Sequence, residues 1–145
     1  MEIIVKKILS IFHLHLSPKK EKLFLQIIKF LIVGGTATII DWITYYILYN
    51  YVNIPPLIAN ILSFSTSVIY NYYASVQWVF DVNKNKSQKK MFTEFMILSI
   101  VGLLIAELLL WIFINLLRMD AMISKIISTV IVMIFNFITR KVFLE

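Results

Sequence analysis

Four long apolar runs, Phe24–Tyr49, Leu57–Phe80, Phe95–Leu117 and Ala121–Thr139, alternate with three short breaks of different kinds. At about 1.5 Å per residue each run is long enough to cross a hydrocarbon core about 30 Å thick as an α-helix. Asn53-Ile54-Pro55-Pro56 cannot continue a helix, the segment from Asp81 to Lys90 is a polar loop, and Leu117-Arg118-Met119-Asp120 is a minimal turn. The pattern predicts an all-α integral membrane bundle of four transmembrane helices, built as two tight hairpins joined by one loop. It divides the chain into an N-terminal segment, 1–22, and a four-span domain, 23–145.

The stretch Ile3–Leu16 mixes Lys6, Lys7 and His13 with Ile4, Ile8, Ile11 and Phe12. That mixture suits a helix lying in the cytoplasmic headgroup region, with a disordered tail as the other reading. Its charged pair and short apolar run imitate a signal peptide, but a small-residue cleavage site is missing and the segment is expected to be retained.

Polar residues at membrane depth fall into stripes. At 100° per residue, Asn60, Ser63, Ser67, Asn71 and Ser75 share one face of the second span, and Lys125, Ser128, Val132, Asn136 and Arg140 share one face of the fourth. Gly34, Thr38, Asp41 and Tyr45 line the first span in the same way, and Gly102-x-x-x-Ala106 is a small-residue contact on the third. Sliding the chain by about 65 positions aligns Lys29-Phe30 with Glu94-Phe95, Ala59-Asn60 with Ser124-Lys125, Ser63 with Ser128, and Asn71-Tyr72 with Asn136-Phe137. The hairpins read as two copies in the same orientation, a parallel internal repeat. Helix packing explains the Ser and Thr positions; a polar seam that passes the head group of an amphiphile, its tails left in lipid, is the functional reading.

Three ionisable residues, Asp41, Glu107 and Lys125, lie at membrane depth, where a charge costs at least about 2.5–3.5 kcal/mol on insertion scales unless paired or hydrated. A pairing of Lys125 with a carboxylate is one expectation and snorkelling to the outer interface is another. The sharper reading makes Lys125 a phosphate contact, with the carboxylates relaying a proton. Glu107 sits one residue off the repeat partner of Asp41, so the two are not expected to act alike.

Charge fixes an expected orientation. Lys6, Lys7, Lys19, Lys20, Lys22, Lys29, Lys84, Lys86, Lys89, Lys90, Arg140 and Lys141 flank one side of the spans, and only Arg118 and Lys125 flank the other. The positive-inside rule therefore places both termini and the middle loop in the cytoplasm. At the cytoplasmic ends, Trp78-Val79-Phe80 and Arg140-Lys141-Val142-Phe143 read as an interfacial belt with anchoring cations, or as a phosphate-reading mouth.

Composition removes whole classes of function. Hydrophobic residues make up 60% of the 145 and charged residues 15%, against about 45–50% and about 25% in soluble domains, so lipid is the solvent. The absence of cysteine excludes disulfides and thiolate chemistry, and His13 and His15 have no clustered carboxylate, so no metal is expected. Three glycines, all within apolar stretches, form no phosphate loop or dinucleotide fingerprint; no cofactor and no catalysis are expected. The net charge of +6 flanks apolar runs and forms no single face, so nucleic acid is not an expected partner.

These motifs together resemble the GtrA-like family of small membrane proteins. The resemblance is carried by Lys29-Phe30-Leu31-Ile32-Val33-Gly34-Gly35 through Asp41, Pro56 to Phe64, Asn71-Tyr72 with Trp78-Val79-Phe80, and Lys125 with Asn136-Phe137 and Arg140-Lys141-Val142-Phe143. It implies a role in glycosylating cell-surface polysaccharide or teichoic acid, by moving a polyprenyl-phosphate-linked sugar, such as one on undecaprenyl phosphate, to the outer leaflet of the plasma membrane. Asn71, Lys125 and Asn136 match functionally important family positions, whereas Ser75, Val76 and Gln77 replace the basic residues usual there. Arg140, Lys141 and Asn60 complete the expected head-group contacts. Expected partners are the lipid-linked sugar, membrane glycosyltransferases and a second copy of the chain. Two other readings stay open: a non-transporting subunit that supports a glycosyltransferase, and a proton-coupled cation exporter using Asp41 or Glu107.

Overall fold

The computed structural model describes residues 2–11 and 17–145. Its elements are α1 (Glu2–Ile11), α2 (Pro18–Asn50), α3 (Pro56–Ala74) running into a π-helical turn (Ser75–Val79), α4 (Gln88–Trp111) running into a second π-helical turn (Ile112–Leu116), and α5 (Ala121–Leu144). Contacts divide the chain into two units, Met1–Val79 and Phe80–Glu145. In the first α2 packs against α3, and in the second α4 packs against α5. The expected hairpins are present, and the chain is an all-helical membrane protein. The amphipathic segment expected over 3–16 is helical as far as Ile11; Phe12, His13, His15 and Leu16 lie outside the described residues.

The helices outrun the apolar stretches. α2 starts at Pro18, whose missing N–H costs nothing in a first turn, so Lys19, Lys20 and Lys22 are helical. α4 starts at Gln88, where Ser87 Oγ accepts from Lys90 N at 3.3 Å, and α5 runs through Arg140 and Lys141 to Leu144. Hydropathy marks the part of a helix that lipid demands, while caps set where the helix ends. Pro18–Asn50, Gln88–Leu116 and Ala121–Leu144 are long and apolar enough to cross a membrane. α3 is less apolar than the expected second span because Asn60, Ser63, Ser65, Thr66, Ser67 and Asn71 crowd it, yet with its π turn it continues unbroken to Val79.

Small polar residues are buried beside the apolar core while many large apolar side chains face outward, unlike in a water-soluble protein. Ser63, Ser75 and Ser124 are 0% exposed, whereas Leu104 is 63% and Ile126 57% exposed. Small residues let the helix backbones approach, and hydroxyls bond within their own helix. Ser65 donates to Ile61 O, Thr66 to Leu62 O and Thr129 to Lys125 O, at 2.7 to 2.9 Å. Between helices of the first hairpin, Thr36 Oγ1 and Tyr70 Oη share a hydrogen bond of 2.8 Å.

The repeat is reproduced bond by bond at an offset of 65. Asn50 Nδ2 donates to Tyr46 O at 3.1 Å, and Asn115 Nδ2 to Trp111 O at 3.2 Å. The N–H groups of Val52 and Leu117 reach Ile47 O and Ile112 O, and those of Ile54 and Met119 reach Leu48 O and Phe113 O. Asn53 and Arg118 hold the matching left-handed positions, φ 57° and 50°, a conformation that Asn adopts readily and Arg does not. Buried Gln26, Phe30 and Ala37 of α2 likewise correspond to buried Met91, Phe95 and Gly102 of α4.

One difference lies at the start of the returning helix. Asp120 Oδ2 accepts from Met122 N at 2.9 Å and Ile123 N at 3.2 Å, where the first hairpin has Pro55. Asp120→Ala is expected to lower stability by about 1 kcal/mol, measured as unfolding of the purified protein in detergent.

Candidate functional site

The returning helix of each hairpin carries a ridge of every fourth residue. In α3 and its π turn the ridge is Ala59, Ser63, Ser67, Asn71, Ser75 and Val79; in α5 it is Ser124, Ser128, Val132, Asn136, Arg140 and Leu144. Asn71, Val132 and Asn136 are half-buried and the other members are buried. Such straight i, i+4 ridges are what a packed helix inserts into its neighbour. The expected stripes are therefore right from Ser63 and Ser128 onward and one residue off at their first member. Asn60 and Lys125 are exposed, and Ala59 and Ser124 occupy the ridge in their place. The spacings i−3 and i−4 are both helical neighbours, and packing selects the second. On α2 the buried line is Gln26, Phe30, Val33 and Ala37; Thr38 is exposed and bonds to Gly34 O at 3.0 Å.

Within this shared frame the hairpins differ in their polar equipment. In the first, Ser75 Oγ donates to Asn71 Oδ1 at 3.1 Å, a neutral pair one turn apart. In the second, the place of Ser75 belongs to Arg140, which is 5% exposed. Its guanidinium lies 4.0 Å over the Phe95 ring, and Nη2 donates to Ser99 Oγ at 3.1 Å. Ser99 in turn donates to Phe95 O at 2.9 Å, so one turn of α4 supplies an aromatic face and a hydroxyl to the same cation. Arg140 is thus a buried member of the hairpin, packed against α4. Beside it, Lys141 is half-buried and forms an i, i+4 ion pair with Glu145 at 2.5 Å.

Asn136 is one turn before Arg140 on the ridge. Its Oδ1 is enclosed and has no hydrogen-bond partner among the described residues, as is also true of Ser128 Oγ. Asp41 is half-buried, with Oδ1 likewise enclosed and without a hydrogen bond. Glu107 and Lys125 are both exposed, and neither takes an ion-pair partner within its own hairpin among the described residues. On the ridges Asn71 is thus one turn from Ser75 in one hairpin, and Asn136 one turn from Arg140 in the other. Lys125 and Asn60 stand apart from these ridges.

The ends of the helices carry contacts that periodicity does not reveal. In the first hairpin Lys29 Nζ is 5.5 Å from the Trp78 ring centroid. In the second, the loop after Phe80 folds onto the end of α5: Asn83 N donates to Leu144 O at 2.8 Å, Lys86 Nζ donates to Phe143 O at 2.6 Å, and Lys86 also pairs with Glu94. Carbonyls that a helix end leaves open are thereby capped from another part of the chain. Ser99 was not singled out by sequence; Lys86 was read only as one of the flanking cations, and Phe95 only as a span start and the repeat partner of Phe30.

Residues 29–144 match the family described as GtrA/DPMS, transmembrane domain. The chain belongs to that family. A cell wall teichoic acid glycosylation protein GtcA of Listeria monocytogenes is 28% identical over 118 residues, covering 80% of this chain and 81% of its own length. The GtcA proteins of Listeria monocytogenes serovar 1/2a and Listeria innocua serovar 6a are each 26% identical with the same coverage. The resemblance noted from the motifs is thereby established as family membership.

Burial ranks the two neighbouring cations. Arg140→Ala, which strips a packed guanidinium from Phe95 and Ser99, is expected to cost about 2 kcal/mol or more, and Lys141→Ala about 0.5 kcal/mol or less. Thermal unfolding in detergent reads the difference, and equal losses would contradict the buried placement of Arg140.

Proposed function

We propose that the protein carries a polyprenyl-phosphate-linked monosaccharide, of the undecaprenyl phosphate class, from the cytoplasmic to the outer leaflet of the plasma membrane for glycosylation of a cell-surface polymer. The observation that carries this reading is the polar ridge buried at the same register in both hairpins, with Asn71 and Asn136 in matching places, in a protein whose exposed surface is apolar. A lipid solvent makes such groups costly, so a protein of this size retains them for packing or for a polar cargo. The GtcA relatives, named for teichoic acid glycosylation, favour the cargo.

In this reading Asn71, Asn136 and Arg140 meet the sugar phosphate along the ridges, and Lys141 and Asn60 contribute at the margins. Lys125, exposed and without an ion-pair partner within its own hairpin among the described residues, offers the phosphate a compact positive charge. Asp41, its carboxyl oxygen enclosed at membrane depth, supplies a protonatable group for coupling, and Glu107 a second. Both termini and the 81–90 loop lie in the cytoplasm, following the lysine-rich flanks. A membrane glycosyltransferase consumes the delivered sugar, and the four spans work as a pair of chains or beside that transferase.

Orientation has a direct test because the natural sequence contains no cysteine. A single Asn85→Cys is expected to react with an impermeant thiol reagent only from the cytoplasmic side, and Arg118→Cys only from outside. Transport is tested with the purified protein in liposomes holding a labelled polyprenyl-phosphate sugar, scored by exposure to an external reagent. Wild-type protein is expected to accelerate exposure, with Lys125→Ala and Asn136→Ala each slowing it about tenfold, as loss of a charge-assisted hydrogen bond implies. No acceleration by folded wild-type protein would leave the transferase-supporting subunit as the reading.

A further inference from the structure

Gly102 is the buried glycine of α4, and the direction its missing side chain would take is occupied by Asn136. A Cβ placed there would stand 2.7 Å from Asn136 Oδ1, closer than real side chains are found, and 3.3 Å from Nδ2, so the carboxamide would have to shift. Gly34 and Gly35 meet nothing within 4 Å, so neither is required by close packing within the structure. At the place of Gly102 the first hairpin has Ala37, and its Asn71 is fixed by another device, the hydrogen bond from Ser75. Arg140 has replaced that hydroxyl in the second hairpin. One asparagine, present in both copies, is thus held in two different ways.

The orientation of the carboxamide follows. Its oxygen end is enclosed against α4 and lacks a hydrogen-bond partner among the described residues, although Asn136 as a whole is only half-buried. Nδ2 lies beside it, 3.3 Å from the same Cβ position, and is not one of the enclosed, unpartnered atoms. A glycine backbone suits the inward oxygen, since its Cα–H groups are weak donors and allow close approach.

We propose that Gly102 is a positioning residue: by having no side chain it lets the Asn136 carboxamide rest edge-on against α4, its oxygen closest, so that the NH2 is held to donate a hydrogen bond to a phosphoryl oxygen of the carried lipid. This rests on the reading that Asn136 meets the head group. Alanine is the better helix former, so a loss in Gly102→Ala does not come from helix formation but from displacing the carboxamide.

The test measures the initial rate of lipid-sugar exposure in liposomes against the fraction of labelled polyprenyl-phosphate sugar, for the full chain. Gly102→Ala is expected to raise the half-saturating fraction about tenfold while the maximal rate stays within about twofold, a pattern that loss of folded protein does not give. In the Asn136→Ala background the same change is expected to add nothing, whereas Gly34→Ala is expected to behave as wild type. Unchanged half-saturation in Gly102→Ala, or a full additional loss in the double variant, overturns the positioning role while leaving Asn136 in the site. Wild-type behaviour of Asn136→Ala overturns the head-group reading and this inference together. If Gly102→Ala does not accumulate, Asn136→Asp decides, because it keeps the shape and turns the NH2 donor into an acceptor. Half-saturation must then rise by at least as much, and an unchanged value refutes the donor role of the carboxamide.

Discussion

Hydrocarbon supplies no hydrogen bonds, and that constraint shapes almost every polar contact in this protein. Serines and threonines on the helices bond to carbonyls three or four residues earlier, so their hydroxyls satisfy themselves without help from a neighbour. Freed from hydrogen-bonding duty between helices, the same small side chains form the contact ridges, where the absence of bulk matters more than polarity. A few groups lie outside this economy: Asn136 Oδ1, Ser128 Oγ and Asp41 Oδ1 are enclosed and make no hydrogen bond among the described residues. In a structure that otherwise settles its polar atoms locally, these exceptions mark the places to look for function.

The internal repeat turns one hairpin into a reference for the other. Turn geometry, asparagine caps and buried positions agree at a fixed offset, so differences at matched positions stand out against a constant frame. Ser75 against Arg140, Gly34 against Ser99 and Ala37 against Gly102 all fall where the second hairpin holds its cation and its asparagine. The first hairpin carries a neutral asparagine–serine pair and the second a buried guanidinium beside a differently held asparagine. Two copies of one scaffold thus offer unlike chemistry at matched positions of the repeat.

Much of this was legible in the sequence because lipid imposes a coarse and strong code. The apolar runs gave the hairpins, Pro55-Pro56 and the Arg118–Asp120 turn gave the reversals, and the Asn-aromatic pairs gave the repeat. Helix ends were not legible, since hydropathy falls off at the interface while the backbone continues to Pro18, Gln88 or Leu144. Asn60 and Lys125 were placed on the ridges because neighbours three and four residues apart look equivalent on a helical wheel; only packing separates them. The π-helical turns, the Thr36–Tyr70 bond and the seat of Arg140 on Phe95 and Ser99 depend on which helices meet and at what height. No local pattern carries that information.

The loop clasp on α5 has a consequence for how the protein is made. Asn83 and Lys86 emerge during synthesis long before Phe143 and Leu144, the residues whose carbonyls they hold. Until α5 has been made, those donors have no helix-end carbonyl to meet. The second hairpin therefore latches only once both of its helices exist, and a ribosome stalled before Phe143 would leave a threaded but unlocked product.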